Sequence, residues 1–224
     1  MLNRPAPPHF RGLDSSGEFS RYHRHLPHWR QPGATYFVTF RLADSIPDDV
    51  LGYMRRLRAE IEARRGDPAS FSLLEEYERK ITQRMEDCLD EAHGACLLRD
   101  DLNRQIVRER IAHGEGTQYF VGCGVIMPNH CHLLVQPLGE SSLESIVGQI
   151  KAYSAMRINS RIGRKGTLWQ EESYDRIVRD EEHLYRVIQY IGRNPLKIGL
   201  NPPDQWRWIH PEWIAAGWAF DATD

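Results

Sequence analysis

The sequence predicts an α+β fold, an antiparallel sheet covered by helices, and three observations carry that prediction. Apolar segments follow one another in the order strand, helices, strand, strand, helix, strand, helix. Tyr119 to Met127 and His130 to Gln136 read as two strands joined at the Pro128-Asn129 turn. Ser142 to about Ile162 repeats its apolar residues at helical spacing rather than in alternation.

Each element follows from local chemistry. Residues 1–33, rich in proline, histidine and arginine, read as an extended N-terminal arm. Tyr36 to Leu42 is β-branched and aromatic, a first strand. Pro47 opens a helix to Arg65 on which Val50, Met54, Leu57 and Ile61 recur at helical spacing, and Gly66-Asp67-Pro68 breaks it. Ser72 to about Ala92 is a second, highly charged helix striped by Leu73, Leu74, Tyr77, Ile81, Met85 and Leu89, and Leu102 to His113 a third. Together these helices make residues 45–115 an enlarged helical first connection. Ser142 can cap the next helix, whose Leu143, Ile146, Val147, Ile150 and Ile158 line one side. Tyr174 to Val178 reads as a short strand, and Glu181 to Arg193 as a closing helix ended by Asn194-Pro195. The tail, residues 200–224, is aromatic and irregular around Trp206 to Trp213, and is expected to pack over the sheet.

Bulk properties narrow the function classes. A chain of 224 residues that is 41% hydrophobic with six tryptophans suits a single domain with a real core. No segment approaches the roughly 18–20 apolar residues that span a bilayer, so no membrane association is expected. The N-terminus lacks a charged region followed by an apolar one, so no signal peptide is expected. Four cysteines without CxxC spacing favour a reducing cytoplasm. The net charge of −2 carries no global sign of nucleic-acid binding. Locally, Lys151 to Arg179 holds seven basic residues (Lys151, Arg157, Arg161, Arg164, Lys165, Arg176 and Arg179) against three acidic ones. With Gly163, Gly166 and Trp169, this stretch suits a phosphate backbone and an unstacked base. A solvated helix face is the structural alternative.

The chemistry centres on His130 and His132. Side chains alternate along a strand, so the two imidazoles share a face and Cys131 points away. Such a pair can grip a divalent metal. A useful site also needs a third ligand and a nucleophile from a neighbouring element, and the helix from Ser142 carries Tyr153. Packing is the plainer role for a helix tyrosine near an apolar stripe. His23, His25 and His28 form a second histidine cluster in the arm, without a strand to fix ligand geometry.

The run Met127-Pro-Asn-His-Cys-His132-Leu-Leu resembles the signature of the HUH single-tyrosine transposases, and more specifically of the REP-associated tyrosine transposases. Gly33 to Leu42 resembles their first strand, and Ile150 to Ala155 with Ile158-Asn159 their tyrosine helix. Gly166 to Gln170, Tyr174 to Arg176 and Tyr190-Ile191 through Asn194-Pro195 to Gly199-Leu200 resemble their C-terminal blocks. The resemblance implies a ferredoxin-like fold and Mg²⁺- or Mn²⁺-dependent cleavage of single-stranded DNA, with the 5′ end held on tyrosine. It implies hairpin DNA of REP type as substrate and a homodimer as assembly. Carried over, Tyr153 is the nucleophile, with Tyr174 as fallback, and His130 and His132 are metal ligands. Such enzymes place a third ligand about one helical turn after the tyrosine, where this chain has Arg157. Asn159 is the nearest downstream amide and Gln149 lies a turn upstream. Arg161, Arg164, Lys165, Arg176 and Arg179, with Lys151 and Arg157, are then the backbone-binding residues, and Trp169 either stacks on a base or simply packs. Two rivals stay open: a non-catalytic DNA-hairpin binder that keeps the fold, and a metal-dependent hydrolase of small molecules.

Overall fold

In the computed structural model, which describes residues 5–17, 20–23, 27–63, 80 and 83–222, strands and helices follow closely where hydrophobic periodicity places them. In chain order they are β1 (Ser20–His23), β2 (Pro27–Arg30), β3 (Tyr36–Arg41), α1 (Asp48–Ala63) and α2 (residues 83–90). A 3₁₀ turn at Leu97–Arg99 leads into α3 (Asp101–Gly114), β4 (Tyr119–Ile126), β5 (His130–Pro137) and α4 (Leu143–Ile162). Then come β6 (Tyr174–Ile177), α5 (Glu181–Lys197), β7 (Arg207–Ile209) and α6 (Pro211–Ala215). The rest of the second charged helix expected from Ser72, including Leu73, Leu74, Tyr77 and Ile81, falls outside the described residues.

Five strands form one sheet in the order β6-β3-β5-β4-β7, antiparallel throughout. Four of these, β6-β3-β5-β4, joined in the chain as βαββαβ, have the ferredoxin-like arrangement, with β3 and β5 at their centre. β1 and β2 pair separately as a hairpin. Arg30 of β2 forms a bidentate ion pair with Asp175 of β6 and reaches Glu144 of α4 at 2.6 Å, which ties that hairpin to the sheet edge.

The two faces bury different partners. Val38 and Phe40 of β3 and Cys131, Leu133 and Val135 of β5 pack against Val107 and Ile111 of α3 and Ile146, Ile150 and Ile158 of α4. Phe37, Cys123, Val125 and Leu134 face the other way, against Leu184, Val187, Ile188 and Ile191 of α5 and the tail tryptophans Trp206, Trp213 and Trp218. Alternation along β4 would misplace half of these residues without the register shift between Val121 and Cys123. Gly122 is the extra residue of that bulge, so Val121 keeps to the α4 side while Cys123 and Val125 turn to the α5 side.

Capping sets the helix starts. Ser142 accepts from Ser145 N, Asp100 from Asn103 N and Asp180 from His183 N, each satisfying a free donor of the first turn. Two expectations change. The tail is more ordered than its composition suggests, since β7 adds an edge strand to β4 and Trp213 and Trp218 donate to the carbonyls of Pro8 and Pro5 in the arm. The closing helix does not stop before Asn194-Pro195 but runs to Lys197 with Pro195 inside it. Proline removes one backbone bond and crowds the preceding turn. Here that costs little because only two residues of helix follow, and Leu200 N then closes onto the Pro195 carbonyl at 2.9 Å. No helix among the described residues is long and apolar enough to cross a membrane.

A Cβ on Gly122 would lie 2.1 Å from the Trp213 ring. Gly122→Ala is therefore expected to lower stability by about 1–3 kcal/mol, as overpacking does. A thermal melt reads this directly, and an unchanged midpoint would mean that Trp213 does not pack on the bulge.

Candidate active site

The β4-β5 turn is held from three sides. Met127 N donates to His130 O at 2.8 Å, Leu42 N to Asn129 O at 2.8 Å and Leu98 N to Pro128 O at 3.0 Å. This brings β5 against β3 in a register that sets His132 opposite Thr39 and His130 opposite Arg41. Both imidazoles lie on the α5 face and are fully buried, with ring centroids 4.6 Å apart, while Cys131 packs into the opposite core.

Their tautomers follow from neighbouring groups. Asn129 Nδ2 donates to the His93 carbonyl at 3.1 Å, so its Oδ1 faces His130 Nδ1 as an acceptor at 2.8 Å. The proton of His130 then sits on Nδ1, which leaves Nε2 with a free lone pair. His132 Nδ1 lies 2.8 Å from Thr39 Oγ1, and with that hydroxyl accepting, Nε2 is free in the same sense. Burial holds both rings neutral: it lowers the pKa of His130 to about 3, helped by the nearby Lys197 ammonium. It lowers that of His132 well below the usual range, with His130, Lys197 and Arg176 adding to the effect.

Helix α5 supplies the remaining parts. Tyr190 packs on His132 with ring centroids 5.3 Å apart and meets Phe37 edge-on at 5.8 Å. Asn194, one turn later, faces both His130 and Tyr190. Its Nδ2 donates to the Tyr190 carbonyl at 2.7 Å. Among the described residues, His130 Nε2, His132 Nε2 and Asn194 Oδ1 are all buried acceptors without a hydrogen-bond partner. Buried polar atoms are normally paired, so three orphans gathered around one histidine pair call for a ligand. Two imidazole nitrogens and an amide oxygen form a donor set that fits a divalent ion, and its mixed character suits Mn²⁺ better than Mg²⁺. No group of three or more His, Cys, Asp and Glu residues among the described ones could hold a metal, because the third donor here is an amide.

The expected site residues divide accordingly. Tyr153 does not join the histidines. Its helix packs on the opposite face of the sheet through Ile150 and Ile158, and Tyr153 itself is 39% exposed. Asn159 is not near them either: its Nδ2 donates to Gly166 O at 2.8 Å and its Oδ1 accepts from Arg164, bracing the loop after α4. Gln149 receives a hydrogen bond from Arg110 of α3. Trp169 is a core residue, 4% exposed, with Nε1 donating to Ser154 Oγ at 2.9 Å and its ring edge-on to Phe40, so it offers no platform for a base. Arg161 ties α4 to Asn103 and Asp100, Arg164 closes on Thr167 O, and Lys151 donates to Glu171 O. Arg157, Lys165 and Arg179 are exposed. Arg176 alone of the basic set reaches the histidine face, stacked over Phe37 at 5.3 Å. Tyr174 shares that face but lies one strand farther out, opposite Thr39. The arm histidines lie outside the described side chains.

Tyr190, Asn194, Asn129 and Thr39 surround the histidine pair but were not among the expected site residues. The available signal was the spacing of Tyr190 and Asn194, four residues apart on one helical face. Assigning the end of the helix to Asn194-Pro195 hid it.

A histidine buried neutral takes up a proton only on unfolding. Between pH 6.5 and about 3 the unfolded chain therefore binds more protons, so stability is full above pH 6.5 and is lost as pH falls towards the folded value. The loss is at most roughly 1.4 kcal/mol per pH unit for each ring. Denaturant melts of the native chain should steepen below pH 6.5 relative to a His130→Gln/His132→Gln variant. Parallel pH profiles would show that the rings are not held neutral.

The family model described as IS200-like transposase matches residues 104–194. A solved REP-associated tyrosine transposase bound to a REP hairpin is 19% identical, covering 92% of this chain and 94% of its own, with a TM-score of 0.46. A putative transposase from Deinococcus radiodurans is 14% identical, covering 78% of this chain and 98% of its own, with a TM-score of 0.31. None of the curated proteins matches the chain. The matched stretch, residues 104–194, is similar to the IS200-like transposase family and holds the histidine strand, Tyr190 and Asn194.

Proposed function

We propose that this chain cleaves and rejoins single-stranded DNA, with Tyr190 as the nucleophile. The observation that carries the reading is the packing of Tyr190 on His132, on the face where His130 Nε2, His132 Nε2 and Asn194 Oδ1 stand unpaired. His130, His132 and Asn194 would hold a divalent ion, Mn²⁺ or Mg²⁺. When bound, that ion supplies positive charge to the phosphate oxygens that become more negative during displacement.

The chain's own residues do the rest. In the resting state burial keeps the Tyr190 phenol protonated, reinforced by the carboxylates of Glu86 and Asp90 on α2, while Asn194 and Arg176 favour the ionised form. Attack of Tyr190 Oη on phosphorus forms an oxygen–phosphorus bond and breaks the bond to the 3′ oxygen. The phenolic proton leaves to water and the departing oxygen takes one up, so the products are a 5′-phosphotyrosine and a 3′ hydroxyl. Attack of a 3′ hydroxyl on that linkage restores tyrosine and reseals a strand without an external energy source. Thr39 and Asn129 fix the imidazole orientations throughout, and Arg176 offers a guanidinium to the incoming backbone. The sequence resemblance directs the substrate reading to hairpins of REP type.

Incubation with labelled hairpin oligonucleotides and Mn²⁺ should yield a denaturant-resistant protein–DNA adduct. Tyr190→Phe is expected to abolish it, while Tyr153→Phe and Tyr174→Phe retain it. Loss of the adduct in Tyr153→Phe alone would overturn the choice of nucleophile. Salt-sensitive binding with no adduct from the native chain would identify a DNA binder without the chemistry.

A further inference from the structure

Tyr190, Asn194 and Lys197 follow one another at the spacing that lines one face of a helix. The extension of α5 past Pro195 therefore adds a cation to the site. Lys197 Nζ lies 5.0 Å above the Tyr190 ring, and its charge acts on both buried histidines. Its ammonium is already engaged: Asp90 Oδ2 of α2 sits 2.7 Å away. One turn earlier on α2, the Glu86 carboxylate faces Arg176 and Lys197 and acts on Tyr190 as well. Arg176 and Lys197, both beside the histidine–tyrosine cluster, are thus countered by one helix of the insertion.

A phosphodiester presents what Asp90 presents, a single negative charge on oxygen acceptors. The two compete for the same ammonium. The Lys197–Asp90 pair is partly exposed on both sides, 37% and 29%, which is the regime in which an ion pair is held weakly and can be exchanged. We propose that Lys197 grips the substrate phosphate beside Tyr190, and that Asp90 occupies its ammonium until DNA displaces the carboxylate. The inference rests on the DNA-cleaving reading above and adds to it a phosphate-binding residue and an internal competitor.

The two partners should shift DNA affinity in opposite directions, which an ion pair serving only to join α2 to α5 would not do. The full chain is titrated in EDTA, so that binding is read apart from cleavage, into a fluorescein-labelled single-stranded hairpin oligonucleotide at increasing NaCl. Lys197→Met keeps the stem over the Tyr190 ring and removes the charge. It should weaken binding about tenfold. It should also flatten the dependence of log affinity on log salt by about 0.7, the contribution of one phosphate contact on a single strand. Asp90→Asn should tighten binding several-fold, and the double variant should match Lys197→Met. Weakening by both single variants, or no change in either while the native chain binds, would overturn the inference. A native chain with no salt-dependent binding would instead overturn the DNA reading beneath it. Should Lys197→Met fail to fold, Asp90→Asn decides alone, with tighter binding supporting the proposal and unchanged binding refuting it.

Discussion

Burying His130 and His132 side by side, neutral and with both Nε2 atoms unpaired, is the constraint around which the rest of the chain is arranged. An unpartnered buried acceptor costs roughly 1–3 kcal/mol, so the fold must over-determine the position of each ring. Asn129 does this from the hairpin turn, Thr39 from the adjacent strand and Phe37 by stacking on His132 at 5.3 Å. Asn129 is in turn fixed by the His93 carbonyl and by Leu42 N. The imidazoles are thereby held in place by the folded protein itself, before anything binds to them.

The same constraint explains the two-sided architecture. The α4 face of the sheet is an apolar core, closed by α3 and α4, that holds β3 and β5 in register. The α5 face both packs its helix and encloses the histidine pair. Leu184, Val187, Ile188 and Ile191 seat α5 on the sheet and the tail tryptophans, while Tyr190 and Asn194 turn towards the histidines. The bulge at Gly122 lets β4 serve both faces at once. Charge is distributed in the same spirit. Arg176 arrives from β6 and Lys197 from the end of α5, and the acidic α2 meets both.

Much of this was legible in the sequence, and the exceptions have physical causes. The strand alternation that set His130 and His132 on one face and Cys131 on the other was enough to find the paired imidazoles. Ser142 marked the start of α4, and the run of apolar residues its buried side. What periodicity does not encode is which face of the sheet a helix covers. Tyr153, next along the chain from the histidine strand, therefore looked closer than Tyr190, although α4 packs behind the sheet and α5 in front of it. Pro195 misled for a different reason: a proline in the last turn of a helix forfeits one hydrogen bond without ending the helix, and that turn positions Asn194 and Lys197. Basic, glycine-containing surroundings left Trp169 open between stacking on a base and packing, and its indole finds a partner in Ser154 within the core.

The proposed chemistry requires His130, His132 and Asn194 to act as one donor set. Titration with Mn²⁺, followed by the loss of the free-ion electron paramagnetic resonance signal, measures this without any DNA present. One ion should bind per native chain, and Asn194→Ala should weaken it at least roughly tenfold while Tyr190→Phe and Asn159→Ala leave it unchanged. Equal Mn²⁺ binding by the native chain and Asn194→Ala, or weakening by Asn159→Ala alone, would contradict the account.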